Sequence, residues 1–397
     1  MTLVKITTVD GKPHIPRFLH DNLTNYAERL TSTLPGNLSV AFLVNSGSEA
    51  NDLALRLAHQ HTGLSHQMCK IKTTCCKSGN KDVITLDHAY HGHVVSLIDI
   101  SPYKFNKPGG TGCPEFTWVA PVPDTYRGVH RDSDHPGEDM GTLYAKEVDS
   151  IIERMAEKGR RPSTFIAESL QSCGGQIIFP DSYLRQVYRS VRAAGGIVIA
   201  DEVQVGFGRV GTHMWAFETY GPDVVPDIVT MGKPMGNGHP IAAVITTPEI
   251  AKSFAATGIE YFNTYGGNPV SCAIGNAVLD VIEKDRLMEH SITVGRTLLE
   301  GAKKLGEKYE IIGDVRGRGM FVGVDLVKDR KTREPHPSAA DHVLTRFKEE
   351  KVLLQSDGPH NNVLKFKSPL AFNLDNAKTF LELLDQVLGE IESGGTK

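Results

Sequence analysis

The sequence predicts an α/β fold, with a mostly parallel sheet in a large domain and a smaller α+β domain at the C-terminal end. Two observations carry that expectation. Short apolar runs at 83–86, 165–167, 197–200, 228–230 and 242–246 alternate with amphipathic helical patterns, the arrangement that βαβ units produce. After Gly267 the texture changes to long helices and a glycine-punctuated strand pair. A boundary near residue 270 then divides the chain into a partial N-terminal segment (1–40), a large domain (41–270) and a small domain (271–397).

Taken in order, the first helix opens on the small-residue turn Asn45-Ser-Gly-Ser48, because Ala50, Leu53, Ala54, Leu57 and Ala58 form one apolar stripe at helical spacing. The run 83–86 reads as the next strand. Between Ser101 and Thr142 the chain is rich in Pro, Gly, Asp and His without a sustained period, so long surface loops over the sheet are expected there. Beyond residue 270 the pattern gives a helix to about Glu289, another to about Lys308, a strand pair within 313–326 and a terminal helix. The glycine-rich run Gly317-Arg-Gly-Met-Phe-Val-Gly323 lacks the strand, spacing and acidic follow-on of a dinucleotide fingerprint.

Composition narrows the function. With 397 residues, 40% hydrophobic and 23% charged, and a formal charge of −4, nothing steers the chain toward nucleic acid or an anionic membrane. No apolar run approaches the roughly 20 residues that span a bilayer. The six cysteines show no paired framework and read as free thiols in a reducing compartment. Small-molecule chemistry is the expected class.

The residues that carry chemistry begin with Lys233, in Met231-Gly-Lys-Pro-Met-Gly-Asn-Gly238, and Asp201, in Ile197-Val-Ile-Ala-Asp-Glu-Val-Gln204. Each follows an apolar, β-prone run. A lysine that forms an imine with an aldehyde, and a carboxylate that keeps a ring nitrogen protonated, are what pyridoxal 5'-phosphate needs. Alone, either residue reads equally as a solvated loop charge or a helix cap. In Asn45-Ser-Gly-Ser-Glu-Ala-Asn51, the turn with Ser46, Gly47 and Ser48 converges free N–H groups and a helix dipole, a seat for phosphate or a plain N-cap. Tyr90, in Tyr90-His-Gly92, stands at a strand's carboxyl end and could stack on a flat ring, with His91 beside it, or be a structural tyrosine. In Asp201-Glu-Val-Gln-Val-Gly-Phe-Gly-Arg209, Gln204 could donate to a phenolate oxygen while Val203 presses the ring face opposite Tyr90. Thr264, in Tyr261-Phe-Asn-Thr-Tyr-Gly-Gly-Asn-Pro269, could complete a phosphate cup or belong to a turn before the long helix.

In order and spacing these motifs resemble the class III (ornithine/GABA-type) aminotransferases, fold-type I pyridoxal-phosphate enzymes, over nearly the whole chain from about Arg17. The resemblance implies that Lys233 carries the imine and shuttles the proton, that Asp201 pairs with the pyridine nitrogen, and that Gly47 and Ser48 bind the phosphate. It places Glu168, in Ala167-Glu-Ser-Leu-Gln171, near the substrate. It also implies that Thr264 reaches the phosphate of a neighbouring subunit, hence a homodimer, or a tetramer, with shared active sites. Within the family, Asp87-His-Ala-Tyr-His-Gly-His93, Ile100-Ser-Pro-Tyr-Lys-Phe105, Asp124-Thr-Tyr-Arg-Gly128 and Gln171-Ser-Cys-Gly-Gly-Gln176 are similar to the ethanolamine-phosphate phospho-lyases and their sister 5-phosphohydroxy-lysine phospho-lyases. Pro234 and the Gln-Ser-Cys run favour the former, with a small phosphorylated amine as substrate. Transamination onto a keto acid or glyoxylate remains the alternative, since both reactions share every step up to the carbanion. Mitochondrial residence is implied by the relatives, with a cytoplasmic location as the alternative.

Three departures accompany the likeness. Family members acting on α-amino acids hold the carboxylate with an Arg before a Pro-Pro-Leu-like turn; this chain reads Leu364-Lys-Phe-Lys-Ser-Pro-Leu370. A lysine cannot give a carboxylate the bidentate fork of arginine but serves as a point charge for phosphate. Lys365 and Lys367 could equally be outward charges on an edge strand. Relatives carry a further segment before the position of Pro16, which lies against the active site, so an inactive truncated paralogue is a third reading. Residues 68–80 look inserted. Cys69, Cys75 and Cys76 within them fit zinc poorly, and no metal is expected.

Overall fold

The structure, a computed structural model, describes residues 8–9, 12–13, 20–68 and 80–394. The segment 69–79 with its three cysteines lies outside the described residues, so the insertion expected there has no structural account.

The strands β1 (Thr8–Val9) and β2 (Lys12–Pro13) pair antiparallel. Helix α1 (Asp21–Ser32) is capped by His20, whose ring accepts the Asn22 N–H. The apolar run of β3 (Val40–Val44) is buried throughout and leads through Asn45–Ser46 into α2 (Gly47–Met68). Next come β4 (Val83–Leu86), the short turns α3 (Val95–Ile98) and α4 (Pro102–Phe105), β5 (Thr117–Ala120) and α5 (Met140–Glu157). Strand β6 (Thr164–Glu168), helix α6 (Tyr183–Ala193) and strand β7 (Ile197–Asp201) make a βαβ unit, followed by β8 (Ile228–Met231), β9 (Ala242–Thr246) and α7 (Pro248–Ala255).

These strands form one seven-stranded sheet in the order β3-β9-β8-β7-β6-β4-β5. Neighbours from β8 to β5 pair parallel, whereas β9 runs antiparallel to both β3 and β8. Strands β4 and β6 through β9 are buried along their whole length, which is why they read as continuous apolar runs instead of alternating ones. The parallel strands β4, β6, β7 and β8 all end at one edge of the sheet, where open α/β sheets bind ligands. At that edge sit the segments carrying Tyr90, Glu168, Asp201 and Lys233.

Two strands depart from the expectation. The loop region 101–142 contains β5, an edge strand whose inner residues Trp118 and Val119 are only half-buried, so its apolar signal is short and lost among Pro and Gly. Strand β3 sits directly before the Ser/Gly turn and pairs with β9 across the far side of the sheet.

The second half opens with α8 (Pro269–Lys284) and α9 (Leu287–Lys308). The helix expected to run to about Glu289 therefore stops at Lys284. Arg286 takes φ 51°, and its guanidinium bonds Glu289 in the next first turn, so the chain bends there and restarts. By its packing α8 sits in the core of the large sheet: Leu279 and Ile282 share a cluster with Leu23, Tyr26 and Leu43. Arg29 of α1 clamps it through the Asn276 carbonyl at 3.1 Å and Glu283 at 2.9 Å. Then follow β10 (Ile312–Arg318), β11 (Phe321–Asp329), β12 (Glu334–Pro335), α10 (Pro337–Glu349), β13 (Gln355–Asp357), β14 (Val363–Phe366) and α11 (Leu374–Glu392). The smaller sheet is antiparallel, in the order β10-β11-β14-β13, and α9, α10 and α11 cover it. Lys365 lies on β14, between β11 and β13, so the edge-strand reading of this lysine does not hold. No described helix is long and apolar enough to cross a membrane.

Candidate active site

Asp201 ends β7 and is 3% exposed. Its Oδ2 accepts from His91 Nδ1 at 2.9 Å and from Asn51 Nδ2 at 2.8 Å, while its Oδ1 accepts from the Val203 N–H at 3.1 Å. Asn51 is itself fixed, donating to the His91 carbonyl at 2.8 Å and accepting from Thr230 Oγ1 at 2.6 Å. The backbone N–H of His91 donates to Ser101 Oγ at 3.0 Å. A carboxylate held this way by buried donors keeps one orientation and a place for one more partner. Asn51 was not singled out from the sequence. Its signal was an amide directly beside the apolar stripe of α2.

Glu168 closes β6, the neighbouring strand. Its oxygens accept from the Ser172 N–H at 3.1 Å and the Tyr90 N–H at 3.4 Å. Burial, and next the charge of Asp201, pushes its carboxyl up to about 6. Glu202, on the other side of Asp201, is fully buried and accepts from the N–H groups of Ala216 and Phe217 at 3.0 and 2.9 Å.

The Ser/Gly turn behaves as a helix start. Ser46 Oγ accepts from the Glu49 N–H at 3.2 Å, and Ser48 Oγ accepts from the His93 N–H at 3.2 Å. The first-turn N–H groups of Gly47 and Ser48 have no intrahelical acceptor. Glycine is required at 47, because a Cβ there would lie 2.6 Å from a Val203 methyl. Gly232 packs onto the same point, its Cβ position 3.3 Å from the Gly47 nitrogen. That contact brings the loop after β8 against the phosphate-type turn, with Lys233 next in the chain at the head of a 3-10 turn, Lys233–Gly236.

Tyr90 is half-buried, with its ring edge-on to Tyr103 at 5.9 Å and the Lys104 ammonium 5.4 Å from its centroid. Val203 and Gln204 follow Asp201, both largely buried. Gln204 Oε1 accepts from Lys367 Nζ. On β14, Lys365 Nζ bonds Asp357 Oδ2 at 2.5 Å.

The structure brings Ser46, Gly47, Ser48, Tyr90, His91, Glu168, Asp201, Val203, Gln204 and Lys233 together around one cleft of about 400 Å³. His239 and Asn51, not foreseen, line it as well. Thr264 does not join them: it is exposed on the loop before α8 and outside the lining.

The residues fit pyridoxal 5'-phosphate. The cleft presents a fixed carboxylate for a ring nitrogen, unspent helix N–H groups for a phosphate, an amide for a ring oxygen and a primary amine for an aldehyde. The aminotransferase class-III family model matches residues 8–388. The chain is 56% identical over 366 residues, 92% of its length and 70% of the relative's, to a protein of Drosophila melanogaster named alanine–glyoxylate aminotransferase 2-like. It is 46% identical over 379 residues, 94% of its length and 77% of the relative's, to ethanolamine-phosphate phospho-lyase homolog 1 of Caenorhabditis elegans. Among solved structures, a phospholyase from Arthrobacter in complex with phosphoethanolamine superposes with a TM-score of 0.82 at 37% identity, over 94% of this chain and 82% of that one. The sheet, the cleft at its carboxyl edge and these likenesses agree, and the chain belongs to the class III aminotransferases, pyridoxal-phosphate enzymes of fold-type I.

Proposed function

We propose that this chain is a phospho-lyase that takes O-phosphoethanolamine and water to acetaldehyde, ammonia and inorganic phosphate. The observation that carries this reading is the lysine pair at 365 and 367, where amino-acid transaminases place an arginine fork, with Lys365 paired to Asp357, Lys367 on Gln204 of the cleft lining and Lys104 over the Tyr90 ring. Point charges of this kind suit a phosphate better than a planar carboxylate. The names of the Caenorhabditis and Arthrobacter relatives support the same substrate.

When bound, pyridoxal phosphate supplies the electron sink for charge developing on the carbon beside the amine. Asp201, fixed by His91 and Asn51, pairs with the ring nitrogen and keeps it protonated. Gly47 and Ser48 hold the cofactor phosphate at the α2 N-terminus. Tyr90 and Val203 enclose the ring and exclude water. Lys233, freed by the substrate's amine, removes a proton from the carbon bearing nitrogen. The electron pair of that C–H bond would become a carbon–carbon double bond as the adjacent C–O bond breaks and phosphate leaves with the C–O pair; water would then take the two-carbon enamine to acetaldehyde and ammonia.

Transamination is the second reading, favoured by the name of the Drosophila relative. Purified protein with pyridoxal phosphate and O-phosphoethanolamine separates the two. Phosphate release without an amino acceptor, absent in Lys233→Ala, supports the lyase. Amine transfer to glyoxylate with no phosphate release overturns it.

We further propose that a second copy of this chain completes the site. Thr264 stands beside Phe262 and Tyr265, each 70% exposed, on a loop that Asn263 ties to Asn45 at 2.7 Å, while Thr264 itself stays outside the cleft lining. Sedimentation at micromolar concentration should give a dimer. A monomer that still turns over would remove Thr264 from the site.

A further inference from the structure

The geometry points to Lys367 as a positioning residue for the cofactor: by occupying Oε1 of Gln204, it leaves only the NH₂ end of that amide for the cofactor's ring oxygen. The inference rests on pyridoxal phosphate occupying the cleft and not on the choice between elimination and transamination.

A glutamine beside an anionic oxygen is ambiguous, because its two ends are similar in size and only one of them donates. Turned the wrong way, its carbonyl would face the ring oxygen and repel it. A lysine settles the ambiguity, since an ammonium has donors and no acceptor. The Lys367 contact therefore commits Gln204 Oε1, and Gln204 lines the cleft. Lys367 is itself held from both sides. The Phe366 carbonyl accepts from Gln176 Nε2 at 3.5 Å, and the Ser368 carbonyl accepts from Arg209 Nη1 at 2.8 Å. Both donors come from loops that follow strands of the large sheet, so the segment after β14 is tied to the wall it acts on.

The surroundings of Lys367 are cationic. Lys365 lies on its own strand, Arg209 on the loop after β7 and Lys233 after β8, while Glu168 of β6 opposes them. Burial first, then Lys365, Arg209 and Lys233, pushes the Lys367 ammonium down to about 7. Only the ammonium form lacks an acceptor, so Oε1 is committed most firmly while Lys367 carries its proton.

An amide donor on the ring oxygen spreads its negative charge, so the nitrogen that joins Lys233 to the cofactor holds its proton less firmly. The experiment is a pH titration of the visible absorbance of the holoprotein, without substrate. Lys367→Met should raise the midpoint by on the order of one pH unit, as should Gln204→Leu. Lys367→Arg, which keeps donors for Oε1 and brings no acceptor, should stay near wild type. Lys367→Met in the Gln204→Leu background should add nothing further. A Lys367→Met shift that persists in full in that background would mean that the charge acts through space, and the positioning role fails. Lys367→Arg moving as far as Gln204→Leu overturns it equally, which keeps the test alive if the Met variant does not fold. A wild-type band whose midpoint ignores both single variants sinks this inference alone, whereas a wild type with no visible band sinks the reading of the site along with it.

Discussion

At Asp201 each hydrogen-bonding partner comes from the seven-stranded sheet or its own loops and helices: His91 after β4, Asn51 of α2 and the Val203 N–H after β7. At Lys367 the partners come from two sheets, with the lysine after β14 of the small one and Gln204 and Arg209 after β7 of the large one. The first wall is set as soon as the large sheet forms. The second exists only when the two sheets have docked. The comparison separates a wall fixed by local topology, which holds Asp201, from a wall whose contact with Gln204 depends on the docking of the two sheets.

The largest expected effect tests the fixed wall. Asp201→Asn removes the charge that His91 and Asn51 hold in place, and turnover should fall by at least about a hundredfold, the scale of losing one preorganised electrostatic group. Initial rates of phosphate release, measured at saturating cofactor, check it. Activity within a few-fold of wild type would detach Asp201 from the chemistry and dissolve the distinction between the walls.

The assembled wall should respond first in stability. Lys365 and Asp357 are largely buried at 2.5 Å. Burial opposes the charge on Lys365, yet Asp357 outweighs it and holds the ammonium above the usual lysine range. Lys365→Met leaves Asp357 buried without its counter-ion and should cost about 3 kcal/mol, read by chemical denaturation. Asp357→Asn in the same chain should recover much of that loss. If the double variant is no better than the single one, the pair is not what ties β13 to β14 at this end.

How far each wall was legible in the sequence follows from the same difference. Lys233, Asp201, Glu168 and Tyr90 each stand at or just beyond the end of a buried apolar strand, so strand pattern and following turn place them without knowledge of the rest of the fold. Asn51 escaped notice because its value lies in reaching Asp201 across 150 positions of chain. Lys367 reads from sequence as a point charge for phosphate or as an outward charge, since nothing near it in sequence names Gln204. Strand β5 was missed because an edge strand with two half-buried inner residues carries too little apolar signal among prolines and glycines. Thr264 shows the limit from the other side. Its motif was readable, but a single chain leaves the residue outside its own cleft.

Glu168 stands where the two walls meet and gives a pH test. Its carboxyl is raised from 4.5 to about 6, by burial and then by Asp201. A group whose folded value is raised contributes stability that is complete below the unfolded value and is lost as pH climbs through the folded one. Wild type should therefore lose on the order of 2 kcal/mol relative to Glu168→Gln between pH 4.5 and 6.5. The comparison uses the change in the difference with pH, so a constant penalty for disturbing the Tyr90 and Ser172 hydrogen bonds cancels. A difference that is flat with pH would mean that Glu168 titrates in the native state as it does in the unfolded chain.

The smallest effect concerns the rim. Lys104 holds its ammonium 5.4 Å from the centroids of both Tyr90 and Tyr103, and an exposed contact of this type is worth roughly 0.5–1 kcal/mol. If the rim draws an anionic substrate, Lys104→Met should raise KM for O-phosphoethanolamine by roughly two- to fivefold with kcat unchanged, because the charge acts on binding and not on the transition state alone. The effect should shrink as ionic strength rises and the charge is screened. A fall in kcat at constant KM would instead mean that Lys104 acts by holding the Tyr90 ring in place. That outcome would make Lys104, on α4 after β4, a positioning residue of the wall fixed by local topology.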